Sequence, residues 1–199
     1  MRRMRQMHAV LGATIVVGTL MISTLTMTEG ATFKDVRDPL GRFTISVPAT
    51  WNVRTSTSSR AAAVTTAAPA TSGLPDSVDV IVQDTYTALS PQACVGEADM
   101  VMRFTIHNWT TVQQGATTLA GLPAYSRVYV WRAQTGQQRE SVQSCVTMGR
   151  RAFMIVGTTT NTPTNVRQNL PQLQQIMNTF RPLASAPPPA APTTPGSGH

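Results

Sequence analysis

The chain has 199 residues, 41% of them hydrophobic and 13% charged, with a formal net charge of +7. That is the composition of a globular protein, and the length suits one domain with appendages. The positive balance does not imply nucleic acid. From Thr32 onward the basic residues are scattered, only Arg150 and Arg151 are adjacent, and no basic stripe is interleaved with aromatics.

"MRRMRQMH" sets three arginines ahead of the apolar run "AVLGATIVVGTLMI". Residues 1–31 therefore read as a signal peptide or an N-terminal membrane anchor. Thr28 and Gly30 offer a poor cleavage site, so both fates stay open, and membrane association through this segment depends on its being uncleaved. In either case the positive end stays inside and the remainder goes out. No cysteine follows the apolar run, which argues against a lipid anchor.

Residues 32–182 are expected to form the domain. "FTISV" at 43–47 alternates Phe43, Ile45 and Val47 with Thr44 and Ser46, the period of a half-buried strand. Pro48 ends that strand, and Trp51 is expected to fold back as an anchor. Residues 54–75, rich in Thr, Ala and Ser, read as a long loop with one weak strand near 62–67. "SVDVIVQDTY" at 77–86 is a strand. Residues 90–105 read as a helix with Ser90 as N-cap, Pro91 at its first position, and Cys94, Ala98, Val101, Met102 and Thr105 on one stripe. Strands follow at "TTVQQ", "ATTLAG", "PAYSRVYVWRA", "RESVQSCVTM" and "RAFMIVGTT", joined by short turns that imply antiparallel pairing. Val166, Leu170, Leu173, Met177 and Phe180 mark a last helix over 164–180, with Pro171 predicting a late start or a kink. Residues 183–199, rich in proline and alanine and without a charged side chain, read as a disordered tail. The order predicts an α+β fold: one antiparallel sheet of about six strands with helices packed against it.

Cys94 and Cys145 are the only cysteines. Export would favour a disulfide between them, and two buried thiols are the alternative.

The run F-x-I-x-V-P-x-x-W at Phe43–Trp51 resembles the first strand of the PsbP-like, or Mog-like, families. "LAGLPAYSRVYV" (119–130) is similar to their mid-domain strand, and "LPQLQQIMNTFRP" resembles their closing helix. The resemblance spans roughly residues 33–182 and implies an α/β/α sandwich. It also places the chain beside exported envelope proteins of the LpqN type and implies binding without chemistry. No functional residue is carried over, because the fold hosts unrelated roles.

The residues themselves offer little chemistry. His107 is the one histidine of the domain and sits at a helix-to-strand junction. Asp84 is the best-placed carboxylate, and solvation at a strand end is the simpler reading. Asp35 and Asp38 in "KDVRDPLG" do not match a calcium loop. No phosphate loop or zinc-protease helix is present, and neither a cofactor nor a metal is expected. Tyr125, Tyr129 and Trp131 share one strand face; with Trp51 they form the candidate recognition surface, unless they pack in the core. The expectation is an exported, non-enzymatic binding or accessory protein. Its partner would be a protein or a cell-envelope component, not nucleic acid. A secreted hydrolase using His107 or carboxylates, and a carrier with a pocket between sheet and helix, are the alternatives.

Overall fold

The computed structural model describes residues 32–58, 62–70, 73–106 and 108–183. The expected export segment, His107 and the tail beyond Leu183 lie outside them, as do the side chains of Val101 and Thr105.

The elements run β1 (Phe33–Arg37), β2 (Phe43–Pro48), β3 (Asn52–Thr55), β4 (Val64–Ala67), β5 (Ser77–Asp84), α1 (Pro91–Thr105), β6 (Thr110–Leu119), β7 (Leu122–Arg132), β8 (Gln138–Met148), β9 (Arg151–Thr160), α2 (Pro163–Asn178) and β10 (Arg181–Pro182). They build two sheets, not one. The larger has seven strands in the order β3-β4-β5-β9-β8-β7-β6; the smaller is β1-β2-β10. Every pairing is antiparallel. The fold is α+β, as the element order implied.

The opening strand thus belongs to the small sheet. Its turn is closed by Asp38, whose carboxylate accepts from the Arg42 backbone N–H (3.0 Å), Nε (2.7 Å) and Nη2 (2.8 Å). Alternation turns Phe43, Ile45 and Val47 into the core, all essentially sealed from solvent. There Phe43 meets Phe153 of β9 (6.3 Å between centroids) and Phe180 (5.6 Å). The stretch expected as a loop begins with the end of β3 and contains β4. The segments expected as two strands around Gly115 are one, β6, with a bulge between Thr111 and Gln113.

The helices start where their caps dictate. Ser90 Oγ accepts from Ala93 N–H at 3.1 Å, and Thr162 Oγ1 from Asn165 N–H at 3.2 Å. α2 runs through Pro171, which lies on its exposed side.

α1 packs on β7 and β8, and α2 on the opposite face over β9, β5 and β2. Cys94 of α1 is bonded to Cys145 of β8, with Cα atoms 6.3 Å apart. On the other face α2 comes close because β9 offers Gly157. A β-carbon there would stand 3.1 Å from both Leu173 Cβ and Met177 Sδ. Val78, Val80, Val82, Phe153 and Ile155 floor the core beneath α2 and the small sheet.

Among the described residues no helix is long and apolar enough to cross a membrane.

Candidate binding surfaces

Alternation along β7 puts Tyr125, Arg127, Tyr129 and Trp131 on the face that α1 covers. Arg127, 1% exposed, is the largest fully buried side chain. It forms an ion pair with Asp99 of α1 and donates from Nη2 to Gln143 Oε1 at 2.7 Å. Its guanidinium carbon lies 4.9 Å from the Trp109 ring centre and 5.2 Å from that of Tyr129. Trp131 Nε1 donates to Ser141 Oγ (2.9 Å), which is 2.9 Å from Thr158 Oγ1. Arg139, 3% exposed, donates to the carbonyls of Leu74 (2.8 Å) and Pro75 (2.7 Å). These polar groups face inward and hold α1 and the 73–76 loop to the sheet.

Arg127 and Arg139 serve as buried donors. The aromatic set is not one surface, which corrects that expectation. Tyr129 is 3% exposed and Trp51 is 5% exposed, and both are core residues. Burial pushes the Tyr129 hydroxyl above its ordinary range. Tyr125 packs on the disulfide and Trp131 is half-buried, so only these two keep some accessibility.

Asp84, Asp38 and Asp35 are occupied. Asp84 accepts from Arg151 Nε at 2.7 Å, and that bond holds its carboxyl below the usual range. Burial pulls Asp38 up, but the Arg42 bonds outweigh it and leave its carboxyl low. Asp35 accepts from Ser46 Oγ at 2.6 Å. With Asp38 saturated by a guanidinium, the 35–42 turn has no free carboxylate pair to offer a cation. No group of three metal-ligating side chains occurs among the described residues. Asp79 differs: burial pushes its carboxyl up, against hydrogen bonds from Thr65 and Ser77.

The open surface lies on the α2 side. α2 leaves part of β6, β7 and β8 uncovered, and a groove of about 380 Å³ results. Gln113, Gly115 and Thr117 of β6, Ser126 of β7 and Ser144 of β8 form its floor, and Gln174 and Asn178 of α2 its wall. Ser126 Oγ and Ser144 Oγ are 2.6 Å apart. No titratable side chain projects into it, since Arg127 points to the other face. The groove offers amides, hydroxyls and a few methyl-bearing side chains. It can recognise neutral polar matter by hydrogen bonding. A second, open concavity of about 640 Å³ lies among Asp84, Tyr86, Met148, Arg150 and Arg151.

Nothing in the sequence singled out the groove. Its floor and wall come from strands and a helix dozens of residues apart, and none of its side chains is distinctive alone.

Comparison of the whole fold shows what it is similar to. The cyanobacterial PsbP protein CyanoP of Synechocystis superposes with a TM-score of 0.59 at 11% identity, covering 87% of this chain and 99% of that one. LpqN of Mycobacterium tuberculosis, described as involved in cell envelope biogenesis, gives 0.55 at 15% identity, covering 77% and 91%. The Ran-binding protein Mog1p of Saccharomyces cerevisiae gives 0.53 at 13% identity, covering 76% and 96%. This chain has the PsbP-like fold. The expected resemblance holds at the level of fold, although no family model and no curated protein matches the sequence.

Proposed function

We propose that this chain is an exported, non-enzymatic binding or accessory protein of the cell envelope. In this reading the groove between β6–β8 and α2 is its recognition site. The observation that carries the proposal is the groove's chemistry: a concave, hydrogen-bonding surface with no titratable side chain aimed into it. Such a surface selects by shape and neutral hydrogen bonds. The Cys94–Cys145 disulfide fits an oxidising compartment. The fold serves a Ran-binding protein and an envelope-biogenesis protein, so it is compatible with protein and envelope partners alike.

A photo-crosslinking residue at Gln174, in the groove wall, tests this in the full-length chain within its native envelope. Gln92, exposed on α1, is the control position. The expected result is one discrete adduct from position 174 and none from 92. Equal labelling from both positions, or a turnover abolished by Asn178→Leu, overturns it.

The same groove, walled by α2 on one side, favours a second reading as a small-ligand carrier. A neutral polar ligand that raises the unfolding temperature of the wild type but not of Asn178→Leu would support that reading.

A further inference from the structure

The two edges of the seven-stranded sheet are built differently. β3 is four residues long and carries exposed Arg54. β6, the opposite edge, is ten residues long and contains no charged residue and no proline. An open strand edge presents rows of N–H and C=O groups that can pair with another chain. Proteins blunt such edges by shortness, charge, proline or bulges. β3 uses two of these devices. β6 has one bulge at its start, which leaves residues 113–119 in regular register with β7. Among the described residues β6 pairs with β7 alone, and most of its side chains are exposed.

Gly115 is a second, independent sign. A glycine inside a strand weakens it and often marks the close approach of another backbone. Nothing among the described residues requires glycine here. Its φ is not positive, and a β-carbon would meet no atom within 4 Å. Gly157, by contrast, is explained by α2 lying on it.

The geometry points to a second copy of this chain on the β6 edge, paired antiparallel about a two-fold axis at Gly115. The outward backbone groups of a strand fall on every second residue. Antiparallel pairing of a strand with itself therefore sets a residue on the axis, facing its own image. With glycine on the axis the two strands meet with no facing side-chain pair to satisfy. This register places Gln113 opposite Thr117 and Gln114 opposite Ala116, amides against a hydroxyl and a methyl. No like charges meet on the seam, although the chain as a whole is positive. A charged partner strand would find no counter-charge on it. The inference uses the edge alone and does not depend on what the groove binds.

Cysteine substitution in the full-length chain tests the register. Facing Cα atoms on the axis are about 4.5–5.5 Å apart, within disulfide range. A residue two positions away lies about 13 Å from its own image. Under mild oxidation Gly115→Cys forms a covalent dimer, while Gln113→Cys and Thr117→Cys alone form at least about ten-fold less. Mixing the last two restores the crosslink. Cys94 and Cys145 are buried in their own disulfide and do not compete. Gly115→Arg, which sets two guanidinium groups face to face, returns the protein to monomer mass with unchanged circular dichroism. Equal crosslinking at 113, 115 and 117, no dimer from Gly115→Cys, or a crosslink only to a different protein overturns the inference.

Discussion

Removing the carboxylate of Asp99 should destabilise the protein more than removing the guanidinium it serves. Arg127 is 1% exposed, and its charge is compensated by Asp99, Gln143 and the faces of Trp109 and Tyr129. Breaking a buried pair by deleting one partner costs about 3–5 kcal/mol, because the surviving charge stays buried. The Asp99 side chain is 32% exposed, so water can reach the guanidinium once the carboxylate is gone. We therefore expect about 2–3 kcal/mol for Asp99→Ala. Arg127→Met removes the charge and its desolvation cost while keeping an unbranched apolar stem in place. It leaves the Gln143 carbonyl unpaired, at about 1 kcal/mol, and forfeits cation–π contacts of about 0.5–1 kcal/mol each. The relieved desolvation offsets much of this, so a net cost of about 1 kcal/mol follows. The double variant should match Arg127→Met within about 0.5 kcal/mol, because Asp99 then has no partner to lose. Urea denaturation followed by tryptophan emission reads all three, since Trp109 lies against Arg127. Additive losses, or an Arg127→Met cost above that of Asp99→Ala, refute the reasoning.

Replacing both Cys94 and Cys145 by serine opens a loop of 51 residues and should cost about 4 kcal/mol by calorimetry. A loss below about 1 kcal/mol would contradict that loop-entropy account. Gly157→Ala should cost about 1–3 kcal/mol in the same assay, because its β-carbon meets Leu173 Cβ, which cannot rotate away. Gly115→Ala, whose β-carbon meets no atom within 4 Å among the described residues, should cost less, and the opposite ranking would sink the packing argument. Asp79 holds its proton to higher pH in the folded than in the unfolded chain, because it is buried. Its contribution is complete below the unfolded carboxylate range and is lost as pH rises through the folded pKa. Asp79→Asn should therefore stabilise at neutral pH, and the gain should vanish in acid; a gain independent of pH would exclude this cause. Asp38 and Asp84 are held low, so they act with the opposite sign and favour the folded state above acid pH.

The strands legible in the sequence are those whose alternation is long and bounded by turn residues: β2, β5, β7, β8 and β9. β1, β3 and β10 were not legible, because they are five, four and two residues long and are fixed by tertiary pairing. Alternation located the face shared by Tyr125, Tyr129 and Trp131, but it could not say whether water or a helix lies above it. α1 lies above it, and the Arg127 guanidinium is buried there because Asp99 and Gln143 meet it. The helix caps at Ser90 and Thr162 are local signals and were readable or nearly so. The groove depends on where α2 stops covering the sheet, which no local pattern encodes.

The groove is neutral although the chain carries charged pairs elsewhere. Asp38 is held by Arg42, Asp84 by Arg151 and Asp99 by Arg127. Each pair closes a turn, a hairpin end or a helix–sheet contact. The guanidinium partners hold the Asp38 and Asp84 carboxyls low, and all three pairs serve the fold. What remains on the α2 side is amide, hydroxyl and backbone. Gln113, Thr117, Ser126 and Ser144 present such groups in the groove, and β6 presents its backbone along the edge. Those are the means by which one polypeptide holds another or a neutral polar ligand.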